Sequence, residues 1–180
     1  VNLHIDGLRR LGADVHVEHG YIDATCPRLT GAEFTFDVVS VTGTENLMMA
    51  ACLARGTTIL RGAAAEPEVA DLAALLVKMG ARIEGAGTPV ITIEGREGLG
   101  GAEHRIIPDR IEAGTYAVAA AITGGEIRLE GCEPAHMGAV FEHLERAGAR
   151  IRREVRGVVV ARPGALHAVD LETEPFPGFP

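Results

Sequence analysis

The chain has 180 residues, a formal net charge of −8 and 47% hydrophobic residues, with no tryptophan. Apolar content that high excludes a disordered tail, and the length suits one medium domain or two small ones with a real core. No apolar run reaches the roughly 18–20 residues of a membrane span, and no basic stretch precedes an apolar one at the start. An acidic chain with two Tyr, five Phe and no basic stripe is a poor nucleic-acid binder, so the sequence reads as a soluble, cytoplasmic protein without membrane or nucleic-acid partners. Lys78 is its only lysine. Cys26, Cys52 and Cys132 are widely spaced and odd in number, with no C-x-x-C pair, which reads as small buried side chains rather than a metal or redox site.

In chain order, one pattern returns three times. Leu11-Gly12-Ala13-Asp14-Val15 recurs as Met79-Gly80-Ala81-Arg82-Ile83 and as Ala147-Gly148-Ala149-Arg150-Ile151, with successive glycines 68 residues apart. Short alternating strands follow each copy: Val15 and Val17 with Ile22 and Ala24, then Val90 to Glu94, then Val158 to Ala161. Gly85 to Pro89 and Arg156-Gly157 read as hairpin turns. Gly43-Thr44 and Gly114-Thr115 read as the openings of two alanine-rich helices, covering Leu47 to Ala54 and Ala117 to Ile122. Both are apolar all round, which predicts burial on every side. Pro67 and Pro134 suit first-turn positions of amphipathic helices, with Glu68 at the positive end of the dipole. Val69, Leu72, Leu76 and Met79 form one stripe, ended by Gly80; Met137, Val140, Phe141 and Leu144 form the other, ended by Gly148. The chain thus holds about 2.6 copies of an α/β unit and begins within the helix half of one copy.

Other motifs carry less. His16 and His19, placed on one strand, fall on opposite faces, and His136 and His143 are seven apart on a helix, so no metal ligand set is read. Gly98-Leu99-Gly100-Gly101 lacks a following Gly-Lys-Ser/Thr and reads as a turn. No nucleophile elbow is visible.

Four segments carry a resemblance. Val1-Asn2-Leu3-His4, Ser40-Val41-Thr42-Gly43-Thr44-Glu45-Asn46, Ala64-Ala65-Glu66-Pro67-Glu68 and Pro108-Asp109-Arg110-Ile111-Glu112-Ala113-Gly114-Thr115 resemble, in order and spacing, the UDP-N-acetylglucosamine enolpyruvyl transferases of the MurA family. The resemblance implies repeated βαβαββ units forming an inside-out α/β barrel, about 2.6 of six units being present. It implies residues 1–107 as the remainder of a first barrel domain and 108–180 as the start of a second, joined near Ile107-Pro108. It further implies transfer of the enolpyruvyl group of phosphoenolpyruvate to the 3′-hydroxyl of UDP-N-acetylglucosamine with release of phosphate, opening peptidoglycan synthesis, and no cofactor or metal.

Residue by residue, the resemblance makes Val1, Asn2 and Leu3 the segment touching the uracil ring, and Ser40, Val41 and Thr42 a loop near the uridine diphosphate. The family's usual residue at Asn2 is Asp, and a lysine common at Val38 is missing. Thr44 is read either as the helix cap or as part of an anion-binding helix start. Asp109, Arg110 and Glu112 match the domain junction, as hinge and surface ion pair or as substrate contacts. Glu66 and Glu68 are explained by helix-start chemistry alone. No catalytic group is assigned: the family's reactive Cys precedes the segment matching Val1, its catalytic Asp follows the Pro177-Gly178-Phe179-Pro180 motif, and the missing half of the fold would carry the phosphate-holding cations. These residues alone are therefore not expected to catalyse. The alternatives are the shikimate-pathway enolpyruvyl transferase and a non-catalytic repeat module binding a nucleotide sugar or a protein.

Overall fold

A computed structural model of the chain describes residues 1–179; Pro180, the last residue of the Pro177–Pro180 motif, lies outside the described residues. The chain divides into two compact units, Val1–Arg105 and a second beginning at Ile106.

In the first unit the order is α1 (Asn2–Arg10), β1 (Asp14–Glu18), β2 (Tyr21–Thr25), β3 (Glu33–Thr35), α2 (Val41–Ala51), β4 (Thr57–Arg61), α3 (Pro67–Lys78), β5 (Arg82–Glu84) and β6 (Val90–Glu94). The strands β1 and β2 form an antiparallel hairpin, and the other four form one sheet in the order β3-β4-β6-β5. Only β3 and β4 run parallel, joined across α2 as a crossover requires. Elements β3 to β6 are therefore one complete βαβαββ unit, and α1-β1-β2 repeats its last three elements.

The second unit contains α4 (Arg110–Thr123), β7 (Glu126–Glu130), a 3-10 turn (Pro134–Met137), α5 (Gly138–Arg146), β8 (Arg150–Glu154) and β9 (Gly157–Ala161). Its antiparallel sheet has the order β7-β9-β8. That is the same unit again without its first strand.

The recurrent glycines have one physical job. Gly12, Gly80 and Gly148 adopt φ of 94°, 106° and 101°, a left-handed conformation that a Cβ disfavours. In each copy the next residue's N–H returns to the carbonyl five positions back: Ala13 to Leu8, Ala81 to Leu76, Ala149 to Leu144, at 2.9–3.0 Å. This Schellman closure satisfies the last carbonyls of the helix and turns the chain into the following hairpin.

Each unit has its own core. In the first, Leu47, Met48, Leu60, Val69, Ile91 and Ile93 are buried between the helices and the four-stranded sheet. In the second, Phe141, Met137, Val158 and Val160 close against Ala113 and Ala117.

Four expectations are corrected. The alanine-rich helices are not buried on every side: Met49 of α2 is 46% exposed, and Tyr116, Val118 and Ile122 of α4 are 52%, 39% and 64% exposed. Among the described residues each helix has a single sheet to pack on, so its opposite face stays open. Both helices also start earlier than Gly43-Thr44 and Gly114-Thr115 suggest, because Ser40 and Asp109 supply caps upstream. His19 is not on the strand with His16; it lies in the β1–β2 turn at φ 51°. The third repeat's amphipathic helix is broken, with a 3-10 turn from Pro134 giving way to α5 at Gly138.

Candidate functional site

The first unit brings three helix starts to one end. His4, in the first turn of α1, has Nδ1 3.0 Å from Asn46 Nδ2; the amide donates, so the ring accepts at Nδ1. That bond places the N-terminus of α1, with Val1, Asn2 and Leu3, beside the start of α2, with Ser40, Val41 and Thr42. Val1 and Asn2 are exposed, and Leu3 packs partly against the core. The carbonyl of Val1 accepts the N–H groups of His4 and Ile5, at 3.0 and 3.2 Å.

Ser40 is the cap of α2. Its backbone is extended, and its Oγ accepts the Gly43 N–H at 3.1 Å. A side chain at Gly43 would lie 2.9 Å from Ser40 Oγ and 3.1 Å from Phe36, so the tight start requires glycine. Residues at the head of a helix have no intrahelical acceptor for their N–H groups, and Ser40 takes that of Gly43, which leaves those of Val41 and Thr42 without one inside the helix. The arrangement favours an anion, since the helix dipole is positive there.

Thr44 does something else. Its hydroxyl is fully buried and accepts the Ala64 N–H at 3.0 Å, so the cap reading of Thr44 is replaced by a tie to the loop before α3. That tie sets Glu66 and Glu68, at the head of α3, next to Glu45 in the first turns of α2. Burial, and then the charges of Glu68 and Glu66, push the Glu45 carboxyl above its ordinary value. Glu66 is only 5% exposed, and its Oε2 is shielded with no hydrogen-bond partner. A buried carboxylate oxygen without a donor is costly unless a ligand or another chain segment supplies one. Among the described residues no three His, Cys, Asp or Glu side chains converge to hold a metal ion. Sequence reasoning set Glu66 aside because a Glu before Pro fits the local rules for a helix start, whereas its burial is a tertiary property that no local pattern shows.

In the second unit Asp109 caps α4, with Oδ1 accepting the N–H groups of Ile111 at 2.8 Å and Glu112 at 3.0 Å. The Arg110 guanidinium lies over the Phe176 ring, 5.4 Å from its centroid. Glu112 is exposed in the first turn of the helix. Arg110, Gly114, Thr115, His136, Met137 and Phe179 are among the residues lining a mostly apolar cavity of about 310 Å³. The expected binding residues and the expected junction residues therefore belong to different units.

Comparison with known proteins agrees with this architecture. The model of the EPSP synthase (3-phosphoshikimate 1-carboxyvinyltransferase) family matches residues 1–180. A protein of Acidobacterium capsulatum named UDP-N-acetylglucosamine 1-carboxyvinyltransferase is 57% identical over 183 aligned positions, covering 100% of this chain and 42% of the relative. One of the same name from Koribacter versatilis is 53% identical, with coverage of 100% and 42%. The chain thus spans about 42% of the length of these relatives. Among solved structures, the enolpyruvyl transferase NikO from Streptomyces tendae superposes with a TM-score of 0.84 at 24% identity, over 98% of this chain and 45% of that one. EPSP synthase from Acinetobacter baumannii gives a TM-score of 0.61 at 23% identity, over 89% and 39%. These likenesses show the expected enolpyruvyl transferase-like α/β fold.

Proposed function

Since the chain belongs to the EPSP synthase (3-phosphoshikimate 1-carboxyvinyltransferase) family, we propose that it is the part of a UDP-N-acetylglucosamine 1-carboxyvinyltransferase that holds the uridine diphosphate end of the acceptor. The observation that carries this reading is the Ser40-capped start of α2 beside the head of α1, where the first-turn N–H groups of Val41 and Thr42 have no intrahelical acceptor. The diphosphate sits on those N–H groups, and Val1, Asn2 and Leu3 flank the uracil. Glu66, with its unpartnered Oε2, accepts a hydrogen bond from a hydroxyl of the sugar.

The reaction is enolpyruvyl transfer from phosphoenolpyruvate to the 3′-hydroxyl of the acceptor, with release of phosphate, in the cytoplasm as the first step of peptidoglycan synthesis. Addition and elimination at the vinyl carbon need a proton donor, a base for the attacking hydroxyl and cations on the departing phosphate. This chain contributes position and water exclusion; those three roles fall to segments beyond it in a longer polypeptide. Asp109, Arg110 and Glu112 serve the junction between the two domains, Asp109 by fixing the start of α4.

The test is phosphate release by a polypeptide of the relatives' full length that contains this chain. Release from phosphoenolpyruvate should require UDP-N-acetylglucosamine. Release driven by shikimate 3-phosphate instead would move the protein to the shikimate pathway, and the absence of release with either acceptor would favour a non-catalytic module.

A further inference from the structure

Along α3, from Asp71 to Lys78 at its last residue, two side chains that no part of the proposed reaction uses are linked through a third, His104. His104 Nε2 is 2.9 Å from Asp71 Oδ1, and both side chains are largely buried, 8% and 14% exposed. His104 Nδ1 is 3.1 Å from Lys78 Nζ, on the last residue of α3, and Lys78 is exposed. A carboxylate only accepts, so the Nε2–H donates to Asp71 and the lone pair on Nδ1 faces the lysine. Carboxylate, neutral imidazole and nucleophile follow one another within hydrogen-bond reach, with the base oriented by the third group. That is the arrangement by which a weak nucleophile is activated.

We propose that Lys78 is an acylation site, its amine activated by the His104–Asp71 pair toward acyl phosphates. An ammonium is no nucleophile, so reaction depends on removing a proton from Nζ, and His104 Nδ1 is positioned to take it. The freed Nζ lone pair attacks the acyl carbon and a C–N bond forms. The C–O bond to phosphate breaks, and phosphate leaves with the electron pair. The first proton passes through His104 to solvent, the second leaves the nitrogen with the departing phosphate, which is released as hydrogen phosphate, and the product is a neutral amide at Lys78.

The protein is treated with acetyl phosphate, and acetylation of the peptide carrying Lys78 is followed by mass spectrometry. Because Lys78 is the only lysine, acetyl-lysine reports that residue alone within this chain, and peptide mapping separates it from any terminal amine. In the folded protein Lys78 should react about a hundredfold faster than the same lysine in a synthetic peptide of residues 72–84, the lower end of what general-base catalysis supplies. His104→Gln and Asp71→Asn should each bring the rate down toward that of the peptide while the melting temperature holds. A folded-protein rate no greater than the peptide's overturns the proposal, and that comparison needs no variant to fold. An excess that survives His104→Gln overturns it as well. Neither result bears on enolpyruvyl transfer, which the phosphate-release assay reads separately.

Discussion

The Thr44 hydroxyl accepts the Ala64 N–H at 3.0 Å inside the first unit, joining the start of α2 to the loop that enters α3. Both residues are fully buried. Thr44→Val keeps the shape and leaves that N–H with no acceptor, which costs about 1–3 kcal/mol for a buried amide. Urea denaturation should show a lower midpoint with an unchanged slope. An unchanged midpoint would mean that another acceptor reaches Ala64.

Gly80 closes α3 at φ 106° with nothing within 4 Å of where a Cβ would stand. The cost of Gly80→Ala is therefore conformational rather than steric, about 1 kcal/mol. Gly12 is equally open, and a Cβ at Gly148 would meet the Ala165 carbonyl and His167 only at ordinary contact distance, 3.4 Å, so each alanine variant should lower the melting temperature by a similar amount. A much larger loss at one of them would mark a contact that the repeat does not share.

How much of this was legible follows from the reach of each interaction. The helix stops at Gly12, Gly80 and Gly148 are local, one residue deciding the backbone, and their 68-residue spacing revealed the repeat. The heads of α2 and α4 were read a few residues late, since Gly43-Thr44 and Gly114-Thr115 stand out in the sequence while the side chains of Ser40 and Asp109 do the capping. What connects distant positions was not legible. The His4–Asn46 bond spans 42 residues, Thr44–Ala64 spans 20 and Asp71–His104 spans 33, and no local rule pairs such residues. The open faces of α2 and α4 escaped for another reason: an apolar surround says that a helix can be buried, not that its neighbours are at hand.

Ser40→Ala removes the acceptor of the Gly43 N–H, and loss of a helix cap costs about 1 kcal/mol. The same change loosens the N–H groups of Val41 and Thr42, which on the proposed function hold the diphosphate. In the full-length polypeptide UDP and UDP-N-acetylglucosamine should both bind more weakly, by a similar factor, in titration calorimetry. Weakening of the sugar nucleotide alone would take the diphosphate away from this helix.

Glu66→Gln separates stability from binding. It removes a charge from beside Glu45 and Glu68, so stability at neutral pH should rise, by about 1 kcal/mol. A sugar hydroxyl loses a charged acceptor, so the KM for the acceptor should rise about tenfold, with UDP affinity unchanged. If stability falls and UDP binding falls with it, Glu66 is a structural group and not a contact to the sugar.

Glu45 gives the pH dependence its sign. Its folded-state carboxyl is raised above the usual 4.5 by burial and by Glu68 and Glu66. A carboxyl with a raised folded pKa binds its proton more tightly in the folded state. Its contribution is fully present below the unfolded value and is lost as pH climbs through the folded one. Glu45→Gln, which cannot ionise, should track the wild type near pH 4 and pull ahead in stability as pH rises toward 7. Paired urea titrations at several pH values measure that gap. A gap that stays constant, or that narrows with rising pH, would show that the three carboxylates do not repel one another in the folded protein.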